Sequence, residues 1–231
     1  MSADVVIRGG TVFDGTGSPG RVADVAIEGG VISGIGPRLH GTDELDASGC
    51  AVAPGFIDVH THYDAQVFWD PALRPSSCHG VTTVVAGNCG FTIAPTRAEH
   101  HDVIVRTLEN VEDMDPATLK AGIVWEFETF PQYADLVRKR GTALNFTVYV
   151  GHSALRLYVM GDAAYERAAT PVDERTLELM LVGSASEAAL PEPVPREAVP
   201  AVPDARIVLV GTRELWRNPT GQPRLLAVVV G

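Results

Sequence analysis

The chain has 231 residues, 45% of them hydrophobic, with three cysteines and a formal net charge of −11. That is enough chain for one or two domains with a sizeable core, and the acidic balance argues against nucleic acid or an anionic membrane as a partner. No apolar run approaches the ~20 residues that span a bilayer. The start Met1-Ser2-Ala3-Asp4 lacks a basic segment followed by an apolar core, and Cys50, Cys78 and Cys89 stand at unrelated spacings. Together these features predict a soluble protein of the reducing cytoplasm without a disulfide framework.

From residue 4 to 36 short apolar runs alternate with turn signals: Val5 to Ile7, Gly9-Gly10, Thr11 to Phe13, Asp14-Gly15, Val22 to Ile27, Gly29-Gly30 and Val31 to Ile35. This predicts a small sheet of short strands, with both Gly-Gly pairs as hairpin turns rather than phosphate loops, because no helical pattern follows either pair. Residues 37–54 read as irregular. Pro54-Gly55 then breaks the chain, which places a domain boundary between residues 54 and 55.

Beyond it the pattern changes to alternating strands and helices, the mark of parallel βαβ units. The first strand is Gly55 to His62. On a strand Asp58, His60 and His62 share one face, so both imidazoles can reach one cation while Asp58 holds the strand end. Two satisfied polar histidines at a loop start are the bland alternative. Tyr63, Asp64 and Trp69 follow at once, as pocket candidates or loop packing.

The β-branched run Val81 to Val85 predicts a strand buried on both faces. It ends in Ala86-Gly87-Asn88-Cys89-Gly90, a turn that would present the Cys89 thiol at a strand end; an inert buried thiol is the alternative. Helical spacing runs from Thr96 to Val111, with His100 and His101 read as solvated. A second helix covers Phe130 to Arg140, with a basic last turn. A third strand, Ala143 to Val150, leads into Gly151-His152. Three successive strands thus carry a potential ligand or polar group at the C-terminal end, where parallel α/β sheets and barrels place their chemistry.

The stretches Gly55 to Gln66, His79 to Phe91 and Gly151 to Arg156 resemble the D-aminoacylase (N-acyl-D-amino-acid deacylase) branch of the amidohydrolase superfamily, a likeness followed to about Pro171. The resemblance implies an α/β fold in three parts. Residues 1–54 would form part of a small β-sandwich, residues 55–171 the first units of a (β/α)8 TIM-type barrel, and residues 172–231 an atypical Pro-rich tail. It implies zinc held by His60, His62 and Cys89, a ligand set that zinc chemistry accepts. It also implies a small N-acyl amino acid as substrate, with Tyr63, His152 and Arg156 at the pocket. Arg156 suits a carboxylate by its bidentate fork, while packing or capping are its other readings. Lys120 and Lys139 lie away from strand ends, so neither matches the carbamylated bridging lysine of hydantoinase-type relatives.

The family pattern further calls for two more zinc-binding histidines and a catalytic aspartate, but no histidine follows His152. A full eight-unit barrel needs about 250 residues, more than remain after residue 54. The tail holds a Pro-rich, linker-like stretch from Pro191 to Pro203 and strand-like pieces at Arg206 to Val210 and Leu225 to Val230. These pieces read either as a genuine small sheet or as the product of a shifted reading frame. The expectation is therefore an incomplete zinc deacylase, with a catalytically inactive metal-binding or structural chain as the alternative.

Overall fold

The structure, a computed structural model, describes residues 3–187, 206–211 and 226–230. It is mixed α/β and divides into two compact units. One comprises Met1–Ile57, Arg74–Thr83 and the strands of the C-terminal segment, and the other Asp58–Leu73 with the chain from Val84 through the last helix.

In the first unit β1 (Ala3–Val12), β2 (Arg21–Glu28), β3 (Val31–Gly36), β4 (Gly41–Asp46) and β5 (Cys50–Pro54) join one sheet with two later strands. β1 organises it. β2 pairs antiparallel along its length, whereas β4 runs parallel to residues 3–8 and β5 parallel to Thr11 and Val12. The period-2 alternation of a strand sends Ile7, Val25 and Ile27 into one apolar cluster with Val12, Cys50 and Val52, and sends Val6 and Ala26 into another with Ala3. Gly29-Gly30 makes the β2–β3 hairpin turn as expected.

Two expectations for this unit are corrected. Gly9-Gly10 is not a turn but an irregularity within the single strand β1, where the register to β2 shifts between Ile7 and Gly10. Gly9 takes φ +67 while its N–H donates to the Asp24 carboxylate at 3.0 Å. A side chain on Gly10 would meet Val52 at 2.4 Å. Glycine here admits a bulge and a close neighbour, not a reversal. Residues 37–54 are likewise not irregular: they contain β4 and β5. The polar sequence of β4 hides it, since this mostly exposed strand is defined by its backbone pairing to β1. In the tail, β9 (Arg206–Gly211) pairs parallel with β5, and β10 (Leu226–Val230) antiparallel with β9. The expected linker from Pro191 to Pro203 lies outside the described residues.

A second sheet has the order β6 (Phe56–Thr61), β7 (Val81–Ala86), β8 (Asn145–Val148). Phe56 N–H donates to Gly80 O at 3.1 Å near the start of β6 and β7, and Thr61 Oγ1 donates to Val85 O at 3.0 Å near their ends. The two strands therefore run in the same direction. Beyond β8, Tyr149 N–H donates to Ala86 O, so the ends of β7 and β8 lie side by side. Most of β7 is buried, as its β-branched run predicted.

The second unit holds α1 (Tyr63–Gln66), α2 (His101–Glu112), α3 (Pro116–Gly122), α4 (Phe130–Arg140), α5 (His152–Met160), α6 (Ala163–Glu166) and α7 (Pro171–Glu187). Asp115 caps α3 through Thr118 N–H, and Thr129 with Gln132 forms a capping box on α4, satisfying donors that helix starts leave unpaired. The core is aromatic. Phe68, Phe127, Phe130 and Tyr133 lie with ring centroids 5.3–6.1 Å from Tyr133 or from each other, and Tyr133 Oη donates to Asp64 O at 3.0 Å. Trp69 packs on Gly122, where a side chain would meet its ring at 2.4 Å, a loop-packing role. His100 is buried and His101 stacks on Trp125 at 4.0 Å, so neither is the solvated histidine expected.

Candidate metal centre

The site is assembled in the second unit. His60 lies near the end of β6 and His62 just beyond it, at the residue that opens α1. Strand geometry puts both imidazoles on one face, with ring centroids 5.8 Å apart. Asp58 stays on the strand: its carboxylate accepts the His60 N–H at 3.2 Å and fixes the backbone there. After β7 the chain turns at Gly87, whose φ of +81 and approach to Thr92, 2.5 Å from where a Cβ would sit, suit glycine alone. The turn exposes Cys89, which removes the inert buried thiol reading. Cys89 Sγ also accepts from Phe91 N–H at 3.5 Å.

His60, His62 and Cys89 each direct one donor atom so that the three lie within 4.8 Å of one another. Cys89 Sγ is 3.4 Å from His62 Nε2. Burial, aided by the nearby His60, pushes the His62 imidazole below its ordinary pKa, against the opposing pull of Glu112; this favours the neutral ring whose lone pair a metal takes. His62 Nδ1 is buried with no hydrogen-bond partner among the described residues. Two imidazoles and a thiol converging in this way are a donor set that fits zinc.

The residues expected at the pocket have different fates. Tyr63 is buried in α1. His152, the first residue of α5, is exposed, with its Cβ 3.8 Å from the point where a Cβ on Gly90 would stand, so it neighbours the Cys89 turn. Arg156 donates instead to Ala164 O at 3.0 Å and to Arg167 O at 2.5 Å. Its fork meets carbonyls within and just after α6, as a capping side chain does. Asp64 does not line a pocket either. It is fully buried, accepts the Ile93 N–H at 2.9 Å and is pushed up to about 7 by that burial, the hydrogen bond opposing. Lys120 pairs with Asp102 at 2.8 Å on the α3 side, and Lys139 sits in the last turn of α4, both away from strand ends.

One residue at the site was given no role by sequence reasoning. Glu112, at the end of α2, places Oε1 2.8 Å from His62 Nε2. A signal for it exists in the sequence: the last turn of α2 has no basic residue, and a carboxylate at a helix C-terminus opposes the helix dipole.

A family model described as the amidohydrolase family matches residues 43–190. The chain belongs to the amidohydrolase family. Within it the resemblance is to the D-aminoacylase branch. The chain is 36% identical over 181 residues to an N-acyl-D-aspartate deacylase of Alcaligenes xylosoxydans xylosoxydans, covering 78% of this chain and 34% of that protein. It is 38% identical over 169 residues to a D-aminoacylase of the same organism, covering 72% and 32%. The crystal structure of the N-acyl-D-glutamate deacylase from Bordetella bronchiseptica, complexed with zinc and a phosphonate mimic of the tetrahedral intermediate, superposes with a TM-score of 0.67 at 33% identity, covering 80% of this chain and 37% of that one. The chain thus spans about a third of the length of the relatives it matches. The family match continues past Pro171 through α7. Among the described residues no helix is long and apolar enough to cross a membrane.

Proposed function

We propose that this chain carries the first zinc-ligating strand ends of an N-acyl-D-amino-acid deacylase, with β6, β7 and β8 as the opening strands of a (β/α)8 barrel and residues 1–54 as part of a β-sandwich. The observation that supports this reading is the convergence of the His60, His62 and Cys89 donors within 4.8 Å. Zinc held there would activate a water near neutral pH and polarise an amide carbonyl. The chain's own residues hold the donors in place: Asp58 fixes the His60 backbone, and Gly87 and Thr92 shape the Cys89 turn. His152, beside that turn, and Tyr63, the residue after His62, would contribute to the substrate pocket. The substrate class is a small N-acylated D-amino acid, and a reducing cytoplasm suits the free Cys89 thiol.

A second reading is a metal-binding chain without turnover. It is favoured by the donor group itself, which among the described residues has three members and includes no aspartate to shuttle a proton. Metal analysis of the purified chain tests the first reading: zinc is retained after desalting by the wild type and lost by Cys89→Ala, and equal stoichiometric retention by both would sink the ligand assignment. Zinc-loaded homogeneous protein assayed on N-acetyl-D-amino acids separates the two readings. Little or no hydrolysis is expected from this chain alone, and robust zinc-dependent hydrolysis would reject the inactive reading.

A further inference from the structure

We propose that the first unit carries a groove for short free peptides of two or three residues, with Arg38 receiving the terminal carboxylate and Glu28 the terminal ammonium. The proposal is independent of the zinc reading, since every residue that forms the groove belongs to the β-sheet unit.

The groove, about 360 Å³, opens on the face of β2 and β3 that carries Ala26, a size within the range of small-ligand pockets. Its floor is apolar: Ala3 and Ala26 are buried, and Leu39 packs against them. Two local departures from regular geometry border it. The pairing of β2 with β3 jumps from Ala26–Gly34 to Ile27–Ile32, so Ser33 is an extra residue, and a bulge of this kind re-aims a side chain. Arg38 follows Pro37 with φ +55, a turn position that ordinarily takes glycine or asparagine. Two hydrogen bonds hold that backbone: Leu39 N–H donates to Asp24 Oδ2 at 3.2 Å, and Ala3 N–H to His40 O at 3.1 Å. An unfavourable conformation persists where its surroundings over-determine it, and such positions gather at ligand sites. Gly34 adds no side chain to the floor, where one would stand 3.7 Å from Leu39 Cδ1 and narrow the groove.

Charge sets the ligand. Asp24 pairs with Gly36 and Glu28 with Val31, so Glu28 stands at the hairpin end of the groove and Arg38, two residues beyond Gly36, at the other. The strand from Asp24 to Glu28 spans about 13 Å. Neither the Glu28 nor the Arg38 side chain makes a hydrogen bond or ion pair among the described residues. His40 also lines the Arg38 end, but after the Arg8 hydrogen bond it helps to lower the pKa of Glu44, which leaves Arg38 as the unspent cation. A single amino acid carries its ammonium and carboxylate on one carbon and cannot reach both ends. Two or three extended residues span about 7–11 Å, and the two rim side chains cover the remainder. A guanidinium at one end, a carboxylate at the other and an apolar floor between them match a zwitterionic peptide with an apolar side chain, whereas a simple anion would leave Glu28 opposing it.

The test titrates the full chain by calorimetry with alanyl-leucyl-alanine, its N-acetyl form and its C-terminal amide. The free tripeptide is expected to bind one saturable site, and each blocked form about fivefold more weakly, the share of one partly exposed ion pair. Arg38→Gln should bind the free and amidated peptides alike, and Glu28→Gln the free and acetylated ones alike. Arg38→Gly should show the same loss as Arg38→Gln with a melting temperature no lower than that of the wild type, because glycine accepts the positive φ; this separates lost binding from lost folding. Cys89→Ala should bind all three peptides as the wild type does. Absence of saturable binding by the wild type would overturn the proposal, as would Arg38 and Glu28 variants that keep the wild-type discrimination, or a peptide site that is lost with Cys89.

Discussion

Strands β2 and β6 have comparable apolar content and opposite surroundings. In β2, Val25, Ala26 and Ile27 are 1–6% exposed, flanked by β1 and β3 in the seven-stranded sheet. In β6, Phe56 and Ile57 are each 40% exposed and Val59 58%, on a strand that pairs on one side only among the described residues. Apolar side chains are buried by what packs on them, not by their own character. The second unit keeps its order elsewhere, in the aromatic cluster around Tyr133 and the hydrogen bonds of Asp64, while β6 uses its end to present histidines.

Substitutions can break this contrast. Ile27→Ala should destabilise by about 2–5 kcal/mol, the usual cost of truncating a buried isoleucine, while Val59→Thr should stay within about 0.5 kcal/mol, as exposed substitutions do. Urea unfolding of both variants measures this, and equal losses would erase the distinction between the strands. Next in size, Tyr133→Phe removes the hydroxyl donor to Asp64 O and should cost about 1 kcal/mol. A neutral outcome in the same titration would mean that the second unit does not depend on that bond.

The smallest effect concerns the turn after β1. Asp14 accepts from the Thr16 hydroxyl and N–H and from Arg21, which together lower its pKa to about 2, the Thr16 hydroxyl contributing most. Because the folded value lies below the unfolded value of about 3.9, its contribution is present above that pH and is lost as pH falls through about 2. Melting temperatures of wild type and Asp14→Asn should differ slightly at pH 6 and converge as pH drops from 4 towards 2. A gap that stays constant with pH would assign the effect to geometry rather than charge.

Much of the site was legible because it is local. The i, i+2 spacing of His60 and His62 fixes one face of a strand, and Gly87-Asn88-Cys89 carries its own turn chemistry. The strand from Gly55, the β-branched run of β7 and the helix Phe130–Arg140 followed from period and breaker residues in the same way. β4 escaped because a polar strand has no hydrophobic alternation to read, and Gly9-Gly10 was misread because glycine serves a bulge as well as a turn.

What the sequence by itself determined was therefore the local alphabet of the site: which side chains share a face, where a strand stops, which residues suit zinc. Tertiary structure alone decided which distant groups meet. It brought Glu112 from the end of α2 to His62, closed the Arg156 fork on the carbonyls of Ala164 and Arg167, and buried His100. Periodicity constrains neighbours along one element, whereas those encounters depend on how separate elements pack, and no local pattern encodes that distance.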